Sequence, residues 1–298
     1  MDTFDFGDGP VNAIKHMDTF DFGDGPVNAI RHINGGGWVA ETVTITPSVF
    51  VDIGAKVFGT ANLSGKVKVY DTASVSGKVT LTDNVIIYGN SVVTGNTRLM
   101  NNVQVYDNAN ISGGVITNNV QVYDNAIITG SPAIAGNVKI HGDAIINGAA
   151  VITENADITG GSIADSVIIM GNVKVKDNAE IKNNAQLKGY AVISETAVVN
   201  QYAQVSGKAK VKGQAKVSGS SSVFGDAVIS ENAQIKGSAQ VSGTSEIYGN
   251  AVISGRATVK DNVTIFEDVV IQGNAVISGN TKLNGTQTVE GSTIINED

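Results

Sequence analysis

The chain has 298 residues, no cysteine and a formal net charge of −8. The missing thiols exclude disulfides and thiolate metal sites, and the negative charge argues against non-specific binding to nucleic acid. No apolar run reaches the roughly 20 residues of a membrane-spanning helix, and the opening Met1-Asp-Thr-Phe-Asp-Phe is acidic rather than basic and then apolar, unlike a secretory leader.

Residues 1–16 and 17–32 are nearly the same peptide, differing only at Lys15 versus Arg31. The second copy runs through Gly35-Gly36-Gly37-Trp38 into a repeat array. An array end exposes an apolar core and unpaired strand edges, so it needs a cap. Phe20, Phe22, Val27, Ile30 and Trp38 are the candidate cap residues, and residues 1–42 form the N-terminal segment. One cap suffices. The first copy is then a spare duplicate, an extension of the cap, or a strand that pairs with a neighbouring chain. Asp5-Phe6-Gly7-Asp8-Gly9 and Asp21-Phe22-Gly23-Asp24-Gly25 lack the EF-hand ligand spacing, so Asp-Gly turns are their expected role.

From Val43 to Asp298 the sequence divides into six-residue units of the form small–x–aliphatic–x–turn–turn. Ala191-Val-Ile-Ser-Glu-Thr and Ala275-Val-Ile-Ser-Gly-Asn show it plainly. Forty-two of forty-three units carry Val, Ile or Leu at the third position, and Thr117 is the one exception. Positions one and three share one face of a short strand, and positions two and four point the other way. Gly, Asn and Asp at positions five and six tolerate the backbone angles of a corner. Two units, Val115–Asn119 and Ala156–Gly160, are one residue short, and no unit is longer than six.

A single hexad cannot bury its own apolar side, but stacked hexads can. Three per coil make a coil of eighteen residues. Tyr70, Tyr88 and Tyr106 follow each other at eighteen, Tyr123 at seventeen and His141 at eighteen; Tyr248 and Phe266 fall later in the same column. Asn84, Asn102, Asn119, Asn137, Asn155 and Asn172 make a corner column by the same rule. The expected fold is therefore all-β, a single-stranded parallel β-helix of about 14 coils. At ~4.8 Å per coil it is about 65–70 Å long, and residues 43–298 form one elongated domain.

An aliphatic and a small residue two apart in a six-residue repeat resembles the hexapeptide-repeat, left-handed β-helix family. Gly249–Ala251 and Asp177–Ala179 resemble the Gly-Asn-Ala-type low-complexity solenoids of bacteria and bacteriophages. The resemblance implies a left-handed triangular prism, frequently trimeric, with acyltransferases and zinc carbonic anhydrases among its enzymes. Those enzymes place Gly directly after the aliphatic residue; here Gly comes one residue later, as in Val217-Ser218-Gly219.

The three histidines, His16, His32 and His141, supply no converging zinc triad within one chain. No loop interrupts the array to build a pocket around His141. The expectation is a non-enzymatic, rigid, self-associating scaffold or interaction protein without cofactor. It would work in the cytoplasm of a bacterial or phage-infected cell, bound to neither membrane nor nucleic acid. The alternatives are a hexapeptide-type acyltransferase with an inter-subunit site and a virion-associated fibre or spike. Homo-oligomerisation, as a trimer or otherwise, would use a solenoid face or the N-terminal segment. The candidate contact surface is the column of Tyr70, Tyr88, Tyr106, Tyr123, His141, Tyr248 and Phe266, with outward Ile86, Val92 and Ile127 nearby. Residues 174–216 hold eight Lys against Asp177, Glu180 and Glu195, which reads as a solvated surface or as a basic band for an acidic partner.

Overall fold

The computed structural model describes residues 18–298. The first copy of the duplicated peptide, with His16, lies outside the described residues. Forty-three strands and no helix make up the described chain. Three short strands per coil stack in parallel on the same three strands of the next coil, for example Lys174 on Val192 on Lys210. One face is a 14-stranded sheet of its own, which sets the coil count. The other two are joined into a 29-stranded sheet, because some strands run unbroken round the corner between them. In chain order, the face begun by Trp38–Ala40 is the first, that begun by Thr44–Ile45 the second and that begun by Phe50–Val51 the third.

The repeat explains the interior. Position-one and position-three side chains, such as Ala191 and Ile193 or Ala251 and Ile253, are fully buried in one continuous core. Five units place a hydroxyl at the buried first position instead. Each donates to the carbonyl three residues back, as Ser221 Oγ does to Ser218 O at 2.7 Å and Ser91 Oγ to Tyr88 O at 2.8 Å. The donors are thus satisfied without solvent. Backbone amides are used coil on coil: Val192 N donates to Ala209 O at 3.0 Å, and Ser194 N to Val211 O at 3.0 Å.

Corners turn at position five, where the backbone takes positive φ. Glycine serves there most often, but fifteen non-glycine residues do so too, among them Asp71, Asp124, Asp177 and Glu231. The left-handed region costs an L-residue about 1–2 kcal/mol. The carboxylates recover some of this by accepting the corner amide one coil on: Asp71 from Gly89 N at 2.9 Å, Asp177 from Glu195 N at 2.9 Å and Glu231 from Gly249 N at 2.9 Å.

Two features differ from the sequence expectation. The first coil starts one unit early: Trp38 and Val39 pair in parallel with Lys56 and Val57, so Gly37–Thr42 already forms a hexad. The first shortfall also moves. Ile116 pairs with Leu99 and is fully buried, while Thr117 lies outside opposite Met100. The five-residue unit is therefore 109–113, closed at Gly113, and Gly114 takes the small first position. A side chain on Gly113 would run into the carbonyl oxygen of Gly130. Thr117 breaks nothing: every unit carries its aliphatic residue.

The N-terminal segment is an antiparallel hairpin of β1 (Asp18–Asp21) and β2 (Pro26–Arg31), and β2 pairs antiparallel with β3 (Trp38–Ala40) on the first face.

The revised register separates two neighbouring residues sharply. Ile116→Ala should destabilise by about 2–5 kcal/mol, whereas Thr117→Ala should stay within about 0.5–1 kcal/mol of wild type. Urea denaturation of both variants checks this, and equal midpoints would contradict the register.

Candidate functional site

The outward fourth position of the third face carries the aromatic column. Each ring follows a buried aliphatic residue by one, so each leaves its coil in the same direction one strand spacing above the last. Tyr88 stacks on Tyr106 at 4.8 Å and 5°, Tyr106 on Tyr123 at 4.8 Å and 1°, and Tyr123 on His141 at 4.6 Å and 9°. Tyr248 and Phe266 form a separate pair at 5.2 Å and 10°, with the Lys282 ammonium 5.3 Å from the Phe266 ring. Tyr70 instead tilts against Phe50, at 5.0 Å and 42°. The interior ring faces of the column are thus used by one another, and ring edges and phenol oxygens point outward.

His141 ends the column. Its Nε2 lies 2.9 Å from Asp157 Oδ1 and 3.2 Å from Thr159 Oγ1, and its Nδ1 lies 3.7 Å from Asp124 Oδ2. Among the described residues no group of three or more His, Asp or Glu is placed to hold a metal. His32 is buried at the N-terminal end, where Nδ1 accepts from Asn34 N at 3.3 Å, so the two described histidines, His32 and His141, do not converge.

The column changes the acidity of its phenols. Tyr106 is pushed up to about 12 by burial first, then by Tyr123 and Tyr88 and the carboxylates of Asp107 and Asp124. Tyr88 is raised by burial, then by Asp107 and Asp71. Burial also raises Tyr123, helped by Asp124, Asp157 and Asp107.

Asparagine ladders run along two corners. Asn84, Asn102, Asn119, Asn137 and Asn155 are linked amide to amide at 2.9–3.0 Å. A second ladder, Asn90–Asn108–Asn125–Asp143 at 3.1–3.3 Å, escaped the sequence reading. Its signal was present, since the spacings are again eighteen and seventeen.

At the N-terminal end the five candidate cap residues divide. Ile30 packs against the core. Phe20 stacks on Trp38 at 4.6 Å, Phe22 on Phe58 at 4.8 Å, and Arg31 lies 4.1 Å over Trp38. Trp38 and Phe58 hold the outward second and fourth positions, so this cluster covers the outside of the first face. Val27 is 46 % exposed and lines a cavity of about 480 Å³ with Phe22, Ala40 and Phe58. Phe58 was not foreseen; nothing in its hexad announces a contact with a hairpin. A second hollow of about 560 Å³, lined by Ile30, Ile33, Ile45 and Pro47, opens at the rod end, where Ile33 is 88 % exposed. Asp21 Oδ1 accepts from Gly23 N at 2.8 Å and Gly25 N at 3.0 Å, so this Asp-Gly loop is a side-chain-closed turn.

Two surface groupings need correcting. Ile86 shares the third face with the tyrosines, but Val92 and Ile127 lie on the first face, across the corner. The lysines of 174–216 form a girdle: Lys174 and Lys210 lie on the third face, Lys216 on the first and Lys188 at the second. Lys182 pairs with Glu180 at 2.8 Å.

The class defined by these features is a β-solenoid repeat protein with a sealed core and its variation on the outside. Residues 42–133 match the family model described as Bactofilin, polymer-forming cytoskeletal. The likeness covers less than half of the chain, and it supports a structural, polymer-forming β-helix protein. No curated protein matches.

The raised phenols yield a pH prediction. A tyrosine whose folded pKa exceeds its ordinary 10.0 contributes stability present below pH 10 and lost as pH rises through about 12. Ultraviolet titration should show a late-ionising phase that disappears in Tyr106→Phe, with melting temperature falling over the same window. A single normal phase in wild type would contradict the burial of the column.

Proposed function

We propose that this chain is a structural protein whose rods polymerise into a cytoskeletal scaffold in the bacterial cytoplasm. The observation that carries this reading is the match of residues 42–133 to a polymer-forming family model. Those residues share one core with the rest of the solenoid, so the rod is a rigid unit of about 65–70 Å. Rigidity suits a scaffold because strain applied at one end is transmitted through packed coils. The candidate contact surfaces are the N-terminal end, with Phe20, Phe22, Val27, Ile30 and Trp38, and the outward edges of Tyr70, Tyr88, Tyr106, Tyr123, His141, Tyr248 and Phe266. At that end Ile33, 88 % exposed, lines one hollow with Ile30, Ile45 and Pro47, and a contiguous exposed apolar patch is the kind of surface that serves as a contact.

Negative-stain microscopy of the purified chain should show filaments or rods joined in series. Ile33→Glu should shorten or abolish them while leaving the β-sheet circular dichroism unchanged. Single rods at every concentration would count against the proposal and leave the hexapeptide-type acyltransferase and the virion fibre as the surviving alternatives.

A further inference from the structure

The N-terminal end of the rod is closed on two of its three sides. On the first face β2 pairs with β3 and covers its lower edge. On the third face the loop 34–37 does the same for Phe50–Val51: Val51 N donates to Asn34 O at 3.0 Å, and Gly37 N donates to Val51 O at 2.9 Å. On the second face, among the described residues, Thr44–Ile45 pairs only with Asn62–Leu63 of the coil above. In that coil Ala61 O accepts from Thr44 N at 2.9 Å and Leu63 O from Thr46 N at 3.1 Å. Val43 O and Ile45 O are the equivalent carbonyls of the first coil, and no donor among the described residues reaches them from below.

The hollow of about 560 Å³ lies on this open side. Ile45, the inward residue of the half-paired strand, stands in its wall with Ile30, Ile33 and Pro47. Open edge and apolar hollow are therefore one site, which suits a strand that turns an apolar side chain inward. Two observations identify the strand. Asp18, the first described residue, lines the same hollow, so the chain before it is delivered there. That preceding chain also repeats the sequence that does this work on the neighbouring face: Pro10–Lys15 matches Pro26–Arg31 at every position but the last. In the second copy this sequence lies antiparallel along an edge strand, with Ile30 opposite Val39 and packed against the core. Ile45 holds the same third position of its hexad as Val39, so the edge is offered again one face further on.

We infer that the first copy of the duplicated peptide docks on this side of the end within its own chain. Pro10–Lys15 lies antiparallel below Thr44–Ile45, and Ile14 enters the hollow beside Ile45 as Ile30 sits beside Val39. The three peptide steps from Lys15 to Asp18 span up to about 10 Å, enough to round the first corner. The duplication then has a physical reason. A triangular coil ends in three open edges, and the two copies cover two of them while the loop 34–37 covers the third. The same hollow holds Ile33, the end contact of the proposed polymer. The first copy therefore competes with assembly through that end; this consequence rests on the polymer reading, whereas the docking does not.

The absence of cysteine from the chain permits a clean test. Full-length protein carrying Ala13→Cys and Thr46→Cys should be bridged within one chain by a short bismaleimide. Ala13→Cys with Thr288→Cys, at the far end of the rod, should not. Adding Ile14→Asp to the first pair should abolish the bridge and leave the β-sheet circular dichroism and melting temperature of the rod unchanged. No bridge from the first pair, a bridge that survives Ile14→Asp, or covalent dimers from a mixture of the two single-cysteine chains would overturn the inference; the dimers would place the peptide on a neighbouring chain instead. Deleting residues 1–16 should lower the concentration at which filaments appear several-fold, and an unchanged onset would overturn the competition. A bridge without filaments from either form would keep the docking and sink the polymer; filaments without a bridge would do the reverse.

Discussion

Stacking of each coil on the next at one backbone hydrogen-bond spacing is the constraint on which the rest of the molecule depends. An amide such as Val192 N reaches Ala209 O only if the two coils are in register. That register demands a small residue and an aliphatic residue at the same inward places in every hexad. Alanine at position one leaves room for the Val, Ile or Leu at position three, and the core is closed before any outward residue matters. The five buried hydroxyls keep this rule because the corner carbonyl three residues back accepts from each of them.

The corners carry the cost of the design. Glycine meets the positive φ with little strain, whereas an acid there gains an amide hydrogen bond from the next coil and adds a negative charge to the rod's edge. Choosing between them at each corner therefore shapes the outside of the rod. The corner between the third and first faces became largely acidic, that between the second and third faces mixes glycine with Asp83, Glu154 and Asp261, and asparagine ladders run beside both. The third, between the first and second faces, became mostly glycine over its middle coils and lost a residue at Gly113. A local backbone solution thus produces a long-range surface difference.

The outside has two kinds of aromatic and apolar feature, and they work differently. The tyrosine column turns its ring faces along the rod axis, so its stacking energy of roughly 0.5–1.5 kcal/mol per pair is largely spent within the chain. The aliphatic side chains Ile127 and Ile145 also neighbour one another in register, yet they stay 38 % and 43 % exposed. The family likeness of residues 42–133 supports a polymer-forming role, for which internal stacking stiffens the rod.

The sequence by itself determined the coil, its length of eighteen, the inward positions and the column from Tyr88 to His141, because each follows from a short period that local chemistry repeats. Tertiary structure decided the rest. A five-residue unit can be closed at either of two places, and only the pairing of Ile116 with Leu99 shows that Gly113 is the short corner and that Thr117 faces outward. Whether Val92 and Ile127 adjoin the tyrosines depends on which side of a corner they fall, a matter of three-dimensional placement. The contacts of Phe22 with Phe58 and of Phe20 with Trp38 join a hairpin to coils it precedes, and no period encodes them. Periodicity specifies what repeats; the corners and the end are departures from it, and a departure acquires meaning only from the coils that lie beside it.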